Sequence, residues 1–131
     1  MKIHIHLTPH PITLPVAVRF PDEGLCGSEV EFQGKVRASE KGGTIEGLLY
    51  EAYEAMAQKE IERLLLELSS EPPCLSVEII HRLGWVPINE TSIYLRIRST
   101  HRREGFELLT RFMERMKQDV PIWKVSRNSR P

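Results

Sequence analysis

The stretch Ile93-Tyr-Leu-Arg-Ile-Arg-Ser-Thr-His-Arg-Arg-Glu-Gly-Phe-Glu-Leu-Leu-Thr-Arg-Phe-Met-Glu-Arg-Met-Lys-Gln-Asp-Val120 changes its hydrophobic period part-way along. Ile93, Leu95 and Ile97 alternate with Tyr94, Arg96 and Arg98, the period of a strand with one buried face. Beyond Thr100 the apolar positions become Phe106, Leu109, Met113, Met116 and Val120, which predicts a helix with Thr100 as its N-cap. A strand therefore runs straight into a helix. The outward strand face, Tyr94, Arg96 and Arg98, is either solvated or a support for an anion site.

That helix begins with three potential cations, His101, Arg102 and Arg103. Positive charge in a first turn opposes the helix macrodipole and costs roughly 0.3–1 kcal/mol per charge. The same turn carries unpaired backbone N–H groups, so His101 and Arg102 would form a phosphate or carboxylate cradle there. The plain alternative is a solvated charge cluster. Charge distribution favours an anion: residues 96–131 hold 10 Lys and Arg against 4 Asp and Glu, whereas residues 1–95 hold 8 against 14. Aromatic residues are sparse in the basic part and no RNA-module motif is present, so a small anionic ligand ranks above nucleic acid.

Upstream, Ile3, Ile5 and Leu7 alternate in a first strand that ends at the proline-rich stretch Pro9 to Pro15. His4, His6 and His10 lack a nearby carboxylate or thiolate partner and read as solvent-side residues, so no metal site is expected. Val30, Phe32 and Val36 define a second strand over residues 29–37. It carries Lys35 and Arg37 on its polar face, beyond a Gly34 where a backbone or ligand approaches closely. A Lys41-Gly42-Gly43 turn leads to Thr44–Tyr50 as its expected hairpin partner. The first long helix carries an apolar stripe of Tyr53, Ala57, Ile61, Leu64, Leu65 and Leu68, and Pro72-Pro73 terminates it. Tyr53 and Met56 read as core. Leu75, Val77 and Ile79 form another strand, joined to Ile93–Ile97 through a turn spanning His81 to Pro87.

Downstream, Lys117 falls in the last helical turn, where the helix dipole favours a cation. Lys124 follows Trp123 in the short apolar strand Pro121-Ile-Trp-Lys124, a setting that predicts partial desolvation and an amine able to act as nucleophile or base. The order of elements is an α+β arrangement, two long helices covering one face of a mainly antiparallel sheet. The 131 residues fit a single domain, 1–131. Cys26 and Cys74 have neither metal-ligand nor redox-motif spacing and are expected as free thiols of a reducing compartment. No apolar run is long enough for a membrane span and the N-terminus lacks a secretory pattern, so a cytoplasmic location is expected.

Helix geometry adds a constraint. Lys117 lies sixteen steps along the chain from His101, about 24 Å along a helix at 1.5 Å per residue. One small-molecule pocket does not hold both ends. If these cations share a site, His101 and Arg102 come from one protomer and Lys117 and Lys124 from its mate, as in a two-fold dimer.

Five stretches taken together resemble the large, catalytic subunit of molybdopterin synthase. They are Phe32-Gln-Gly-Lys-Val-Arg37, Leu49-Tyr-Glu-Ala-Tyr-Glu-Ala-Met-Ala57, Ile80-His-Arg-Leu-Gly84, Ser99-Thr-His-Arg102, and Lys117 with Val120-Pro-Ile-Trp-Lys124. They fall in order over about residues 28–125; residues 1–27 match weakly and 126–131 form a short tail. The resemblance implies an α/β-hammerhead-like fold, a homodimer of large subunits and a ubiquitin-like sulfur-carrier small subunit at each end, making a heterotetramer. The implied reaction moves sulfur from the carrier's C-terminal thiocarboxylate to cyclic pyranopterin monophosphate, twice, to form the dithiolene of molybdopterin, with no cofactor. By position, Arg37, His101 and Arg102 would bind substrate, and Lys117 and Lys124 would assist the transfer. Two departures stand out. Val125 follows Lys124 where the family commonly has an acidic residue and a longer tail that contributes an arginine, for which Arg127 and Arg130 are the candidates here. The loop Ala38 to Gly43 also lacks the family's usual asparagine. Two rival readings are a non-catalytic member of the fold that binds a ubiquitin-like partner, and a small anion- or RNA-binding module.

Overall fold

The computed structural model describes residues 1–127, so Arg130 lies outside the described residues, and of Arg127 only the backbone is described. Lys2–Thr8 forms β1, Ser28–Lys35 β2, and the two-residue pairs Ser39–Glu40 and Gly43–Thr44 form β3 and β4. Gly47–Ala52 is β5, Glu54–Leu68 α1, Ser76–Arg82 β6, Gly84–Pro87 β7, Thr91–Ser99 β8, Arg102–Asp119 α2 and Ile122–Arg127 β9. The four-stranded sheet has the order β1-β6-β8-β2, antiparallel except for the parallel pair β1 and β6. A three-stranded antiparallel sheet has the order β7-β5-β9.

Period-two register builds the core. Val77 lies opposite Ile97, and Ile79 opposite Leu95, so β6 and β8 present one continuous apolar face. Ala57, Ile61, Leu64 and Leu65 of α1 close over that face together with Leu108, Phe112 and Met116 of α2. Gly34 of β2 faces Ile93, whose Cγ2 would lie 2.7 Å from an added Cβ. The close approach expected at this glycine is that of a core side chain.

Several sequence expectations change. The second strand does not pair with Thr44–Tyr50: β2 pairs with β8, while β5 enters the other sheet, and only β3 and β4 make a hairpin around Lys41-Gly42. The connection from His81 to Pro87 is not a simple turn, since His81 and Arg82 complete β6 and residues 84–87 form β7. Tyr53 and Met56 are exposed, not core, because Tyr53 sits at the N-cap and Met56 turns away from the sheet-facing stripe. In α2 the stripe is rotated from the predicted one: Leu108 and Phe112 are buried, whereas Phe106 is 53% exposed. His101, not Thr100, is the N-cap.

The largest correction concerns the presumed outward face of β8. Tyr94 and Arg96 are buried and Arg98 is half-buried, and the segment from Val16 to Asp22 lies against the two arginines. The Arg96 guanidinium lies 2.9 Å from Glu78, donates to the carbonyls of Val16 and Ala17, and has Glu29 at 2.8 Å from Nε, too oblique for a hydrogen bond. Arg98 pairs with Asp22 at 3.0 Å. Tyr94 donates to Glu31, and burial together with that bond pushes its phenol up. These cations fasten the N-terminal segment to the sheet and are spent within the fold. A lone member of such a layer would be a costly buried charge, which explains why each is partnered.

Cys26 and Cys74 are both free thiols. No helix among the described residues is long and apolar enough to cross a membrane.

Candidate active site

Lys117 and Lys124 reach one cleft although they belong to different elements. Lys117 stands in the last turn of α2, and the chain then turns at Val120, whose N–H is held by the Met116 carbonyl at 3.1 Å. The following strand β9 pairs with β5 so that Lys124 lies opposite Tyr50. Between them opens a cleft of about 350 Å³ whose wall is apolar at Ile93, Met113, Met116 and Ile122 and polar at Tyr50, His81, Ser92 and Trp123. Two ammonium groups over a largely apolar wall form a site for an anionic group that brings apolar or peptide atoms with it.

The desolvation expected of Lys124 is not met. Its side chain is 42% exposed, and Nζ lies 3.4 Å from Glu40 of β3, whose own side chain is mostly covered. Lys117 is likewise exposed.

His81, Tyr50, Ser92 and Met113 were not among the residues singled out from sequence as site groups, yet all four line the cleft. One signal was available for His81: it continues the row Val77, Ile79 at period two, which places it on the helix-facing side. Its ring is buried, stands edge-on to Tyr50 with centroids 5.0 Å apart, and donates from Nδ1 to the Arg82 carbonyl at 2.8 Å. Burial pushes the imidazole down to about 4, so it is neutral at physiological pH.

His101 and Arg102 lie at the other end of α2, in an open depression of about 740 Å³ with Gly27, Ser28 and Phe106. The expected misfit of charge and dipole is partly relieved within the chain. The His101 N–H donates to the Glu104 carboxylate at 3.1 Å, and Arg103 pairs with Glu107 at 3.0 Å. The N–H groups of Glu104 itself and of His101 hold the Glu104 carboxyl below its usual range. Arg102 and the exposed ring of His101 remain facing the depression. Arg37 is exposed two residues beyond β2, on the segment that leads to Glu40. Within one chain, then, Lys117 and Lys124 come together, while His101 and Arg102 stand apart from them across the length of α2.

The sequence model of the MoaE protein family matches residues 7–119. The chain belongs to the MoaE family. It is 34% identical over 123 residues to the molybdopterin synthase catalytic subunit of Pyrococcus abyssi, covering 94% of this chain and 83% of that protein. The Drosophila erecta catalytic subunit is 36% identical over 92% of this chain, which spans only about a third of its length. Among solved structures, molybdopterin synthase from Staphylococcus aureus superposes with a TM-score of 0.84 at 31% identity, covering 95% of this chain and 90% of the other. A complex of subunits 1 and 2 of molybdopterin-converting factor from Helicobacter pylori shares the fold, with a TM-score of 0.70 at 23% identity over 95% and 83% of the two chains. The α+β fold of MoaE structures, two helices against mixed and antiparallel sheets, is thus the fold of this chain. Its function is that of a MoaE enzyme, a molybdopterin synthase catalytic subunit of molybdenum cofactor biosynthesis.

Proposed function

We propose that Lys117 and Lys124 carry out the sulfur transfer, and that a homodimer completes each site with Arg37, His101 and Arg102 of the opposite protomer. The convergence of both lysines on one largely apolar cleft carries this reading. The donor is a ubiquitin-like small subunit whose C-terminal thiocarboxylate enters the cleft; the H. pylori complex of two subunits supports a partner of this kind. The acceptor is cyclic pyranopterin monophosphate, and the enzyme works in the cytoplasm as a heterotetramer.

The chemistry suits the groups present. Sulfur attacks an electron-poor carbon of the pterin, the cyclic phosphate opens, and water then hydrolyses the acyl–sulfur bond, leaving sulfur on the pterin and the carrier as its carboxylate. Each step builds negative charge on oxygen or sulfur, which ammonium groups beside the apolar wall of the cleft stabilise. An ammonium beside the leaving group also supplies a proton. His101 and Arg102, at the N-terminus of α2, suit the phosphate: a planar guanidinium and the helix end both favour that anion. Their separation from Lys117, about 24 Å by helical rise, is what requires a second protomer.

The test is turnover. Purified chain is incubated with thiocarboxylated small subunit and cyclic pyranopterin monophosphate, and molybdopterin is measured. Lys117→Ala and Lys124→Ala should each lower kcat/KM by about a hundredfold or more, the scale of losing one transition-state electrostatic partner. Wild-type rates in both variants would remove the lysines from the mechanism. Absence of product from the unaltered chain would remove the enzymatic reading of this site.

A further inference from the structure

His81 is the one buried titratable group of the cleft that the lysine chemistry leaves unused. The cleft offers a strongly cationic side, Lys117 and Lys124, and these are donors only. A peptide tail that places its anionic terminus against them also brings backbone N–H groups into the apolar part. Buried without an acceptor, each such N–H is costly.

The geometry of His81 supplies that acceptor. The Arg82 carbonyl can only accept, so the neutral ring carries its proton on Nδ1 and leaves a lone pair on Nε2. Among the described residues Nε2 has no hydrogen-bond partner, and the ring lines the cleft. The ring is fixed by the carbonyl on one side and by Tyr50 on the other, so no reorganisation is needed on binding. The Ser92 hydroxyl, the neighbouring polar group, spends its proton on the Gly34 carbonyl at 3.1 Å and can accept on its oxygen beside the ring.

We propose that His81 accepts, through Nε2, a backbone N–H of the carrier subunit's C-terminal tail, and thereby sets the terminal acyl carbon beside Lys117 and Lys124. This rests on the carrier reading above. His81 is a positioning residue: it takes no proton and forms no bond to the reacting atoms.

Two amide substitutions separate this role from a purely structural one. His81→Gln places a carbonyl oxygen near the Nε2 position and keeps an acceptor there. His81→Asn retains a donor toward Arg82 and lacks that acceptor. In steady-state turnover, His81→Asn should raise KM for the thiocarboxylated carrier about tenfold and leave KM for the pterin within about twofold, whereas His81→Gln should stay within about threefold of wild type for both. The opposite order, or equal loss in the two variants alongside a lowered thermal midpoint, would assign His81 to the fold alone. A second measurement needs no variant: the 15N resonance of His81 Nε2 in the wild-type chain should shift when small subunit in its plain carboxylate form is added. Carrier that binds by calorimetry yet leaves Nε2 unmoved overturns this inference and spares the carrier reading. Carrier that does not bind at all overturns both.

Discussion

His81 occupies a core position with a side chain that water would normally claim. Burial pushes its imidazole down to about 4 from 6.5, so between those pH values the unfolded chain binds a proton that the folded chain refuses. Stability from this group is complete above about pH 6.5 and is lost progressively as pH falls toward 4, by up to about 3 kcal/mol. Urea unfolding at pH 7, 5.5 and 4.5 should show the wild-type chain losing more stability than His81→Gln over that range; parallel losses would rule the histidine out as the cause. His81 was not singled out as a site residue, because the stretch from His81 to Pro87, with Gly84 and Pro87 in it, reads as a turn until strand pairing sets His81 in line with Val77 and Ile79. That Lys117 and Lys124 are cations at the end of a helix and in the strand after it was legible; their meeting at one cleft came from the fold. The exposure of Lys124 was not legible, since it depends on what the folded chain packs against β9 rather than on its neighbours in sequence.

At the scale of elements, α2 shows how far a periodic pattern can be trusted. The helix itself follows from its sequence, and its start falls within two residues of the expected one. Which face it buries does not, because Phe106, Leu108, Leu109, Phe112 and Met113 together wrap much of the circumference and leave the stripe ambiguous. The sheet selects Leu108 and Phe112. Phe112→Ala should therefore cost about 3–5 kcal/mol in chemical denaturation, while Phe106→Ser should change stability by less than about 0.5 kcal/mol. Equal effects would mean that the helix is rotated from the arrangement described. The same ambiguity hid the fate of β8. Tyr94, Arg96 and Arg98 look solvent-facing in isolation, yet the segment from Val16 to Asp22 returns over the two arginines and makes them part of a largely buried ionic layer.

For the whole molecule, the separation of the two cation groups along α2 leads to a complementation experiment. Arg102→Ala and Lys117→Ala should each be inactive alone. If each site draws its phosphate-binding and transfer groups from different protomers, an equal mixture allowed to exchange subunits forms half heterodimers. Each heterodimer has one intact site, so about a quarter of wild-type activity returns. No recovery after exchange has been verified by light scattering and mass spectrometry would place both groups of one site on a single protomer. By itself the sequence determined the element types, the family and the residues worth testing, because side-chain periodicity and short motifs are local properties that survive without a partner surface. Tertiary structure alone decided which strands pair, which arginines are used up inside the fold and that His81 stands in the lysine cleft. Those outcomes depend on contacts between residues far apart in the chain, where burial and pairing override what each segment would do in water.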